Sequence, residues 1–157
     1  MNISIITIGK LKEKYLKQGI EEYTKRLTKY FQAEWQIIPV PKNATFLSES
    51  EMKQKEAVAI LQLLKDDDYL VALDEYGKEY TSEDLSHFIQ QRASTGAKRV
   101  VFLIGGAYGL DAEILQKAKF KWSLSRLTFP HQLVRLILAE QLYRACTILR
   151  NEKYHHR

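Results

Sequence analysis

The stretch VVFLIGGAYG at residues 100–109 joins a short apolar run to a loop with three glycines. A β-branched apolar run of this length, bounded by glycine, predicts a buried strand. In an α/β sheet ligands bind beyond the carboxyl ends of the strands, and glycines let backbone amides approach a ligand closely. The loop lacks the glycine patterns of dinucleotide sites and P-loops, so on its own it fits a tight turn as well as a ligand site.

Strand and helix patterns alternate on either side of this stretch. Further strands are predicted at residues 3–8, 35–40, 69–73 and 122–125. Helical spacing and capping patterns predict helices over residues 16–30, 48–64, from 81, from 111 and over 130–150. Pro39 favours an edge position for the second strand, and residues 74–77 are predicted to form a loop. The alternation predicts one α/β domain over residues 1–157, with a mostly parallel sheet flanked by helices.

The composition excludes several classes of protein. The chain has 157 residues, 45% of them hydrophobic and 27% charged, which favours a packed core over disorder. The single cysteine, Cys146, excludes an internal disulfide, offers no metal-binding framework and suits a reducing compartment. Arg135 interrupts the longest apolar stretch, and residues 1–6 lack the pattern of an export signal. We therefore expect a soluble cytoplasmic protein with no membrane span and no metal site.

Positive charge is concentrated at the two ends of the chain. The net charge is +5. Residues 1–30 carry seven Lys/Arg against three Glu, and residues 131–157 carry five against two, with three histidines besides. This distribution predicts a polyanionic partner that both termini contact, although a generally basic, solvated surface is the alternative.

The predicted final helix, residues 130–150, is apolar on more than one side. Its apolar positions form two roughly opposite groups, one of Leu138, Leu142 and Leu149 and one of Leu133, Ile137 and Ile148. A helix that is apolar all round must be buried all round, and a domain of this size covers one side. We therefore expect a second copy of the chain to cover the other side, in a homodimer. A central helix in one large core is the alternative.

Two polar pairs lie on this helix at one-turn spacing. Glu140 and Arg144 fit a helix ion pair or an interface pair. His131 and Arg135 stand at the start of the helix, near the predicted ligand edge of the sheet. An imidazole and a guanidinium there fit binding of an anion or transfer of a proton, while a structural role for the histidine stays open.

Three stretches together resemble a known family: IGGAYGL at residues 104–110, LSRLTFPH at 124–131 and EQLYRA at 140–145. With the tail Tyr154-His155, their order and spacing are similar to the ribosomal large subunit methyltransferase H family, which belongs to the SPOUT class. The likeness extends over the whole chain.

The resemblance implies an enzyme that uses S-adenosylmethionine to methylate N3 of pseudouridine 1915 in helix 69 of 23S rRNA. It also implies a homodimer and a C-terminal trefoil knot. Two other functions stay open, a non-catalytic ribosome-binding module and a knotted methyltransferase that acts on tRNA.

The resemblance also assigns roles to residues. It implies a cofactor site at Leu73, Gly105, Gly106, Leu124, Ser125, Arg126, Leu127, Thr128 and Phe129. The imide nitrogen must lose a proton during the reaction, so His131 and Arg135 are the candidates for a base and for a cation that polarises an oxygen. The basic, aromatic tail with Tyr154, His155 and Arg157 is a candidate clamp for the target nucleotide, and a frayed terminus is the alternative.

Overall fold

One parallel sheet forms the centre of the molecule. The computed structural model describes residues 1–156, in which the strands are β1 (Asn2–Ile8), β2 (Gln32–Ile38), β3 (Tyr69–Glu79), β4 (Arg99–Ile104) and β5 (Phe120–Ser123). They lie in the order β2-β1-β4-β3-β5, and every neighbouring pair is parallel. The predicted α/β fold with a mostly parallel sheet is confirmed. The edge position of β2, predicted from Pro39, is confirmed as well.

The helices cover both faces of the sheet. They are α1 (Lys14–Leu27), α2 (Glu49–Leu63), α3 (Ser82–Ser94), α4 (Ala112–Lys117) and α5 (His131–Leu149), with a short 3-10 turn at Ala44–Phe46. The predicted capping boxes begin α2 and α3. Side chains alternate across each strand, so β1 contributes Ile3 and Ile5 to the core shared with α1, α3 and α5. Its Ile6 and Ile8 belong to the core shared with α2 and α4.

Residues 74–77 differ from the prediction. They were expected to form a loop, but β3 continues through them to Glu79. Leu73 and Lys78 both take Trp122 of β5 as partner, so the residues between them bulge out of the ladder. The polar residues 74–77 do leave the ladder, as a loop would. Pairing with β5 resumes beyond the bulge, however, and keeps the segment in the sheet.

The long final helix is the element that connects the fold to the site. α5 packs against α1 and α3. Leu138 and Leu142 are fully buried in the core. Leu133, Ile137 and Ile148, the opposite group, are half-buried within the single chain. The trefoil knot and the dimer stay predictions. None of the helices among residues 1–156 is long and apolar enough to cross a membrane.

Candidate functional site

A cleft of about 610 Å³ opens at the carboxyl ends of β4 and β5, beside the bulge of β3. Its walls are three chain segments, residues 73–76, 104–110 and 122–129, to which α2 and α5 add Glu49, Lys53, His131 and Val134. Leu115 of α4 completes the lining. Carboxyl ends of parallel strands meet at one edge of a sheet, so segments far apart in sequence come together here.

The glycine loop after β4 forms one wall of this cleft through its backbone. The Gly109 amide donates to the Gly106 carbonyl at 3.1 Å, and Gly109 has a φ of +83°, which favours glycine. A Cβ on Gly105 would lie 2.9 Å from the Gly109 carbonyl carbon. The loop therefore forms a tight turn and at the same time lines a cleft.

The segment after β5 forms the facing wall. The Ser123 hydroxyl donates to the Ser125 carbonyl at 3.0 Å, and the Leu127 amide donates to the Ser125 hydroxyl at 3.0 Å. These bonds hold the segment in a compact turn. The structure brings together all the predicted cofactor residues except Arg126. The side chain of Arg126 is 90% exposed and pairs with Glu79 at 3.4 Å.

His131 lies where the cleft meets the first turn of α5. Desolvation of the imidazole lowers its pKa below the ordinary 6.5, and the positive charges of Arg135 and Lys12 lower it further. A histidine with a lowered pKa is neutral at pH 7 and can accept a proton. The protonation state of His131 therefore suits the role predicted for it.

Arg135 lies one turn further along α5 but does not line the cleft. Its residue exposure is 1%, and its Nη2 donates to the carbonyl of Ile8 at 2.6 Å. Its Nε and Nη1 have no hydrogen-bond partner among the described residues, and burial lowers its pKa. Gln132 binds the segment that follows β1: its side chain donates to the Lys10 carbonyl and accepts from the Lys12 amide, both at 3.1 Å. The start of α5 is thus hydrogen-bonded to the end of β1 and to the residues that follow it.

The described residues of the tail, Tyr154 and His155, pack against α5 and not against the cleft. The Tyr154 hydroxyl donates to Glu140 at 3.1 Å, and His155 lies 3.2 Å from Arg144 and 3.0 Å from Glu83. Glu140 and Arg144 form the predicted helix ion pair at 2.6 Å. Burial and hydrogen bonds raise the pKa of Tyr154, which keeps its hydroxyl protonated. In this arrangement Tyr154 and His155 lie away from the cleft, and Arg157 lies outside the described residues.

Sequence reasoning missed a buried acid beside the glycine loop. Glu56 of α2 is 7% exposed, and a Cβ built on Gly106 would lie 2.8 Å from its Oε2. Burial raises the pKa of Glu56, and a hydrogen bond from the Gly106 amide opposes the shift. The available signal was its place on the buried face of α2, one turn before Ile60. An acidic side chain on a buried helix face is rare unless it is paired or binds a ligand.

Known proteins resemble the chain over nearly its full length. The family model described as "Predicted SPOUT methyltransferase" matches residues 1–155. The chain is 48% identical to a ribosomal RNA large subunit methyltransferase H from Christiangramia forsetii, over 100% of both chains. It is 50% identical to one from Flavobacterium johnsoniae, over 99% of both.

Two solved structures share the fold at low identity. A probable methylase family protein from Haemophilus influenzae matches with a TM-score of 0.53 and 13% identity, over 99% of this chain and 71% of that one. A probable methyltransferase from Bordetella pertussis matches with a TM-score of 0.53 and 11% identity, over 92% of this chain and 95% of that one.

Proposed function

Since the chain belongs to the SPOUT methyltransferase family, we propose that it transfers the methyl group of S-adenosylmethionine to ribosomal RNA of the large subunit. Its acceptor is N3 of pseudouridine 1915, in helix 69 of 23S rRNA. Identity of 48–50% to relatives named ribosomal RNA large subunit methyltransferase H, over almost the full length of each, supports this choice. We expect residues 1–157 to act as one catalytic domain in the cytoplasm.

The cleft between the glycine loop and residues 122–129 is the observation that carries the proposal. Its volume of about 610 Å³ lies in the range of small-molecule sites. The apolar walls at Leu124, Leu127 and Phe129 suit a flat adenine held by backbone groups. Within the part of the chain that the structure describes, three carboxylates line the cleft, Glu49, Asp74 and Glu75, against the single lysine Lys53, and this balance favours a cationic ligand. These features fit S-adenosylmethionine.

The cofactor, when bound, supplies a methyl group that its sulfonium already activates. The protein must then bring the acceptor nitrogen in line and remove its proton. His131, neutral at pH 7 and on the wall of the cleft, takes the imide proton. Arg135 acts through the chain that it holds, because its guanidinium is enclosed and bound to Ile8. Tyr154 and His155 stay candidate contacts to RNA.

A dimer and a basic RNA-binding surface complete the proposal. The half-buried group Leu133, Ile137 and Ile148 on α5 gives a second copy an apolar surface to cover. The basic segments at residues 1–30 and 131–157 supply positive charge for rRNA phosphates.

A methyl-transfer assay tests the function directly. The purified protein is incubated with labelled S-adenosylmethionine and with 70S ribosomes, 50S subunits or naked 23S rRNA from a strain that lacks the endogenous activity. Mass spectrometry of helix 69 then locates the methyl group. We expect methylation of the pseudouridine, its reduction to a low residual rate in His131→Asn and its retention in the control His87→Asn, which alters an exposed histidine of α3.

Two results would contradict the proposal. Absence of cofactor binding at millimolar concentration in calorimetry would favour the non-catalytic ribosome-binding module. Labelling of tRNA with helix 69 unchanged would favour the knotted tRNA methyltransferase.

A further inference from the structure

A second cleft, of about 190 Å³, adjoins the first and shares a wall with it. The shared wall consists of Gly106, Ala107, Tyr108 and His131. We propose that this second cleft receives the methyl-accepting base and that Glu56 reads the N1–H that distinguishes pseudouridine from uridine. The inference rests on the proposed function and adds a substrate subsite and a specificity-determining residue to it.

Methyl transfer needs two ligands in contact, so a donor cleft requires an adjoining space for the acceptor. The second cleft lies at the carboxyl ends of β1 and β2, on the far side of the glycine loop from residues 122–129. His131 lines both clefts and has the protonation state of a base. A base in the second cleft would therefore have a proton acceptor beside it and the donor cleft across the shared wall.

The lining of the second cleft suits one nucleobase on an RNA strand. Its volume admits a single ring system, and Ile8, Val40 and Met52 offer apolar contact to a ring face. Tyr108, whose side chain is largely solvent-accessible, offers a stacking surface. Lys10 and Lys12 line the same cleft and supply charge for flanking phosphates.

Of the residues that the structure describes, Glu56 is the one carboxylate that lines this cleft. Among the described residues its one hydrogen-bond donor is the Gly106 amide, which leaves acceptor positions for a ligand, and the residue is 7% exposed. A buried acceptor favours a ligand that donates a hydrogen bond and disfavours one that lacks the donor. Pseudouridine carries an N1–H that uridine lacks, because its glycosidic bond is to carbon.

The rim of the cleft is fixed from α5. Gln132 binds both Lys10 and Lys12 through their backbone, and Arg135 binds the Ile8 carbonyl. The cleft is therefore preorganised by the helix that also carries His131. In the reaction, the imide proton passes from N3 to His131 and the N3–C bond forms. The bond from that carbon to sulfur breaks, and its electron pair stays on sulfur, so charge and atoms balance.

The first test fills the second cleft from its mouth. Val40 is 52% exposed and lines only the second cleft, so Val40→Trp places a large ring there without disturbing the core. Ile37→Trp is the matched control, since Ile37 is 47% exposed on the same edge and lines neither cleft. We expect Val40→Trp to reduce methylation of ribosomes by about 100-fold with unchanged affinity for S-adenosylmethionine. Wild-type turnover, or a parallel loss of cofactor affinity, would overturn the assignment.

The second test concerns Glu56. The wild type and Glu56→Gln are compared on ribosomes with pseudouridine or uridine at the target position, with Glu21→Gln on the exposed side of α1 as control. We expect Glu56→Gln to reduce the preference for pseudouridine by about tenfold, because an amide is a weaker acceptor than a carboxylate. Equal losses on both substrates, or an unchanged preference, would refute the role of Glu56. If the wild type methylates neither substrate, the proposed function itself fails.

Discussion

Gly77 is the position where a single methyl group should disturb the site most directly. It lies in the bulge of β3, and a Cβ built there would be 2.6 Å from both the carbonyl carbon and the carbonyl oxygen of Lys121 in β5. Its φ is not in the left-handed region, so the cost of a side chain comes from contact alone. Backbone atoms cannot rotate away, so β3 and β5 must separate.

The size of the effect follows from these distances. Ordinary contact begins at 3.4 Å, so a Cβ at 2.6 Å requires a shift of about 0.8 Å. Overpacking of this kind costs about 1–3 kcal/mol, and a ladder hydrogen bond lost beside it adds about 1 kcal/mol. We expect Gly77→Ala to lower the free energy of unfolding by about 2–4 kcal/mol. For a chain of this size the Tm should fall by about 4–16 °C.

The same shift should weaken binding of S-adenosylmethionine, because residues 73–76 and 122–129 are facing parts of one cleft. Thermal unfolding measures the first effect and calorimetry the second. Gly96→Ala is the control, since Gly96 has a φ of +81° and open space around it. That variant should cost about 1–2 kcal/mol from backbone conformation and leave cofactor affinity unchanged. If Gly77→Ala loses no more stability than Gly96→Ala and binds the cofactor normally, the steric reasoning is wrong.

Three further predictions concern the chemistry and the surfaces. Because the pKa of His131 is lowered below 6.5, its neutral form persists to lower pH, so methyl transfer should decline only as the pH falls below that pKa. The residual turnover of His131→Asn should lack this decline. If the decline persists in the variant, another group accepts the proton. Ile137→Glu places a charge on the half-buried face of α5 and should convert a dimer to a monomer in sedimentation, whereas the wild type running as a monomer would rule the dimer out. The logarithm of rRNA affinity should fall linearly with the logarithm of salt concentration, and a flat response would contradict phosphate contacts by the basic termini.

Local patterns in the sequence were sufficient to locate the five strands, the caps and the glycine loop, but not the ends of β2, β3 and β5. A buried strand needs an apolar run, and a capped helix start needs a hydroxyl with an acid three residues later, as at Ser48 and Glu51. All the residues that form such a signal lie within a few positions of one another in the sequence. The order of strands along the chain does not specify which neighbours they take in the sheet. The bulge at residues 74–77 was missed for that reason, since it exists only because β5 pairs on both sides of it.

Long-range neighbours determine where Arg126, Arg135 and Glu56 lie relative to the cleft. Arg126 was included with Leu124 to Phe129 because it is contiguous with them, but its side chain turns outward to Glu79. Arg135 shares a helix face with His131, yet the end of β1 covers it, and this contact joins residues more than a hundred positions apart. Glu56 meets Gly106 across fifty positions. No local pattern carries that information.

The first two turns of α5 connect the three proposed roles of the protein. His131 faces both clefts, Gln132 and Arg135 hold the chain after β1, and Ile137 lies on the face left for a partner. A helix transmits a displacement of one end to the other because its backbone is rigid over this length. Loss of the second copy of the chain at Ile137 should therefore move His131 as well. We expect turnover to fall when the protein is diluted below the dimer dissociation constant. Since proposed cofactor residues such as Gly105 and Phe129 lie outside α5, cofactor affinity should change less than turnover.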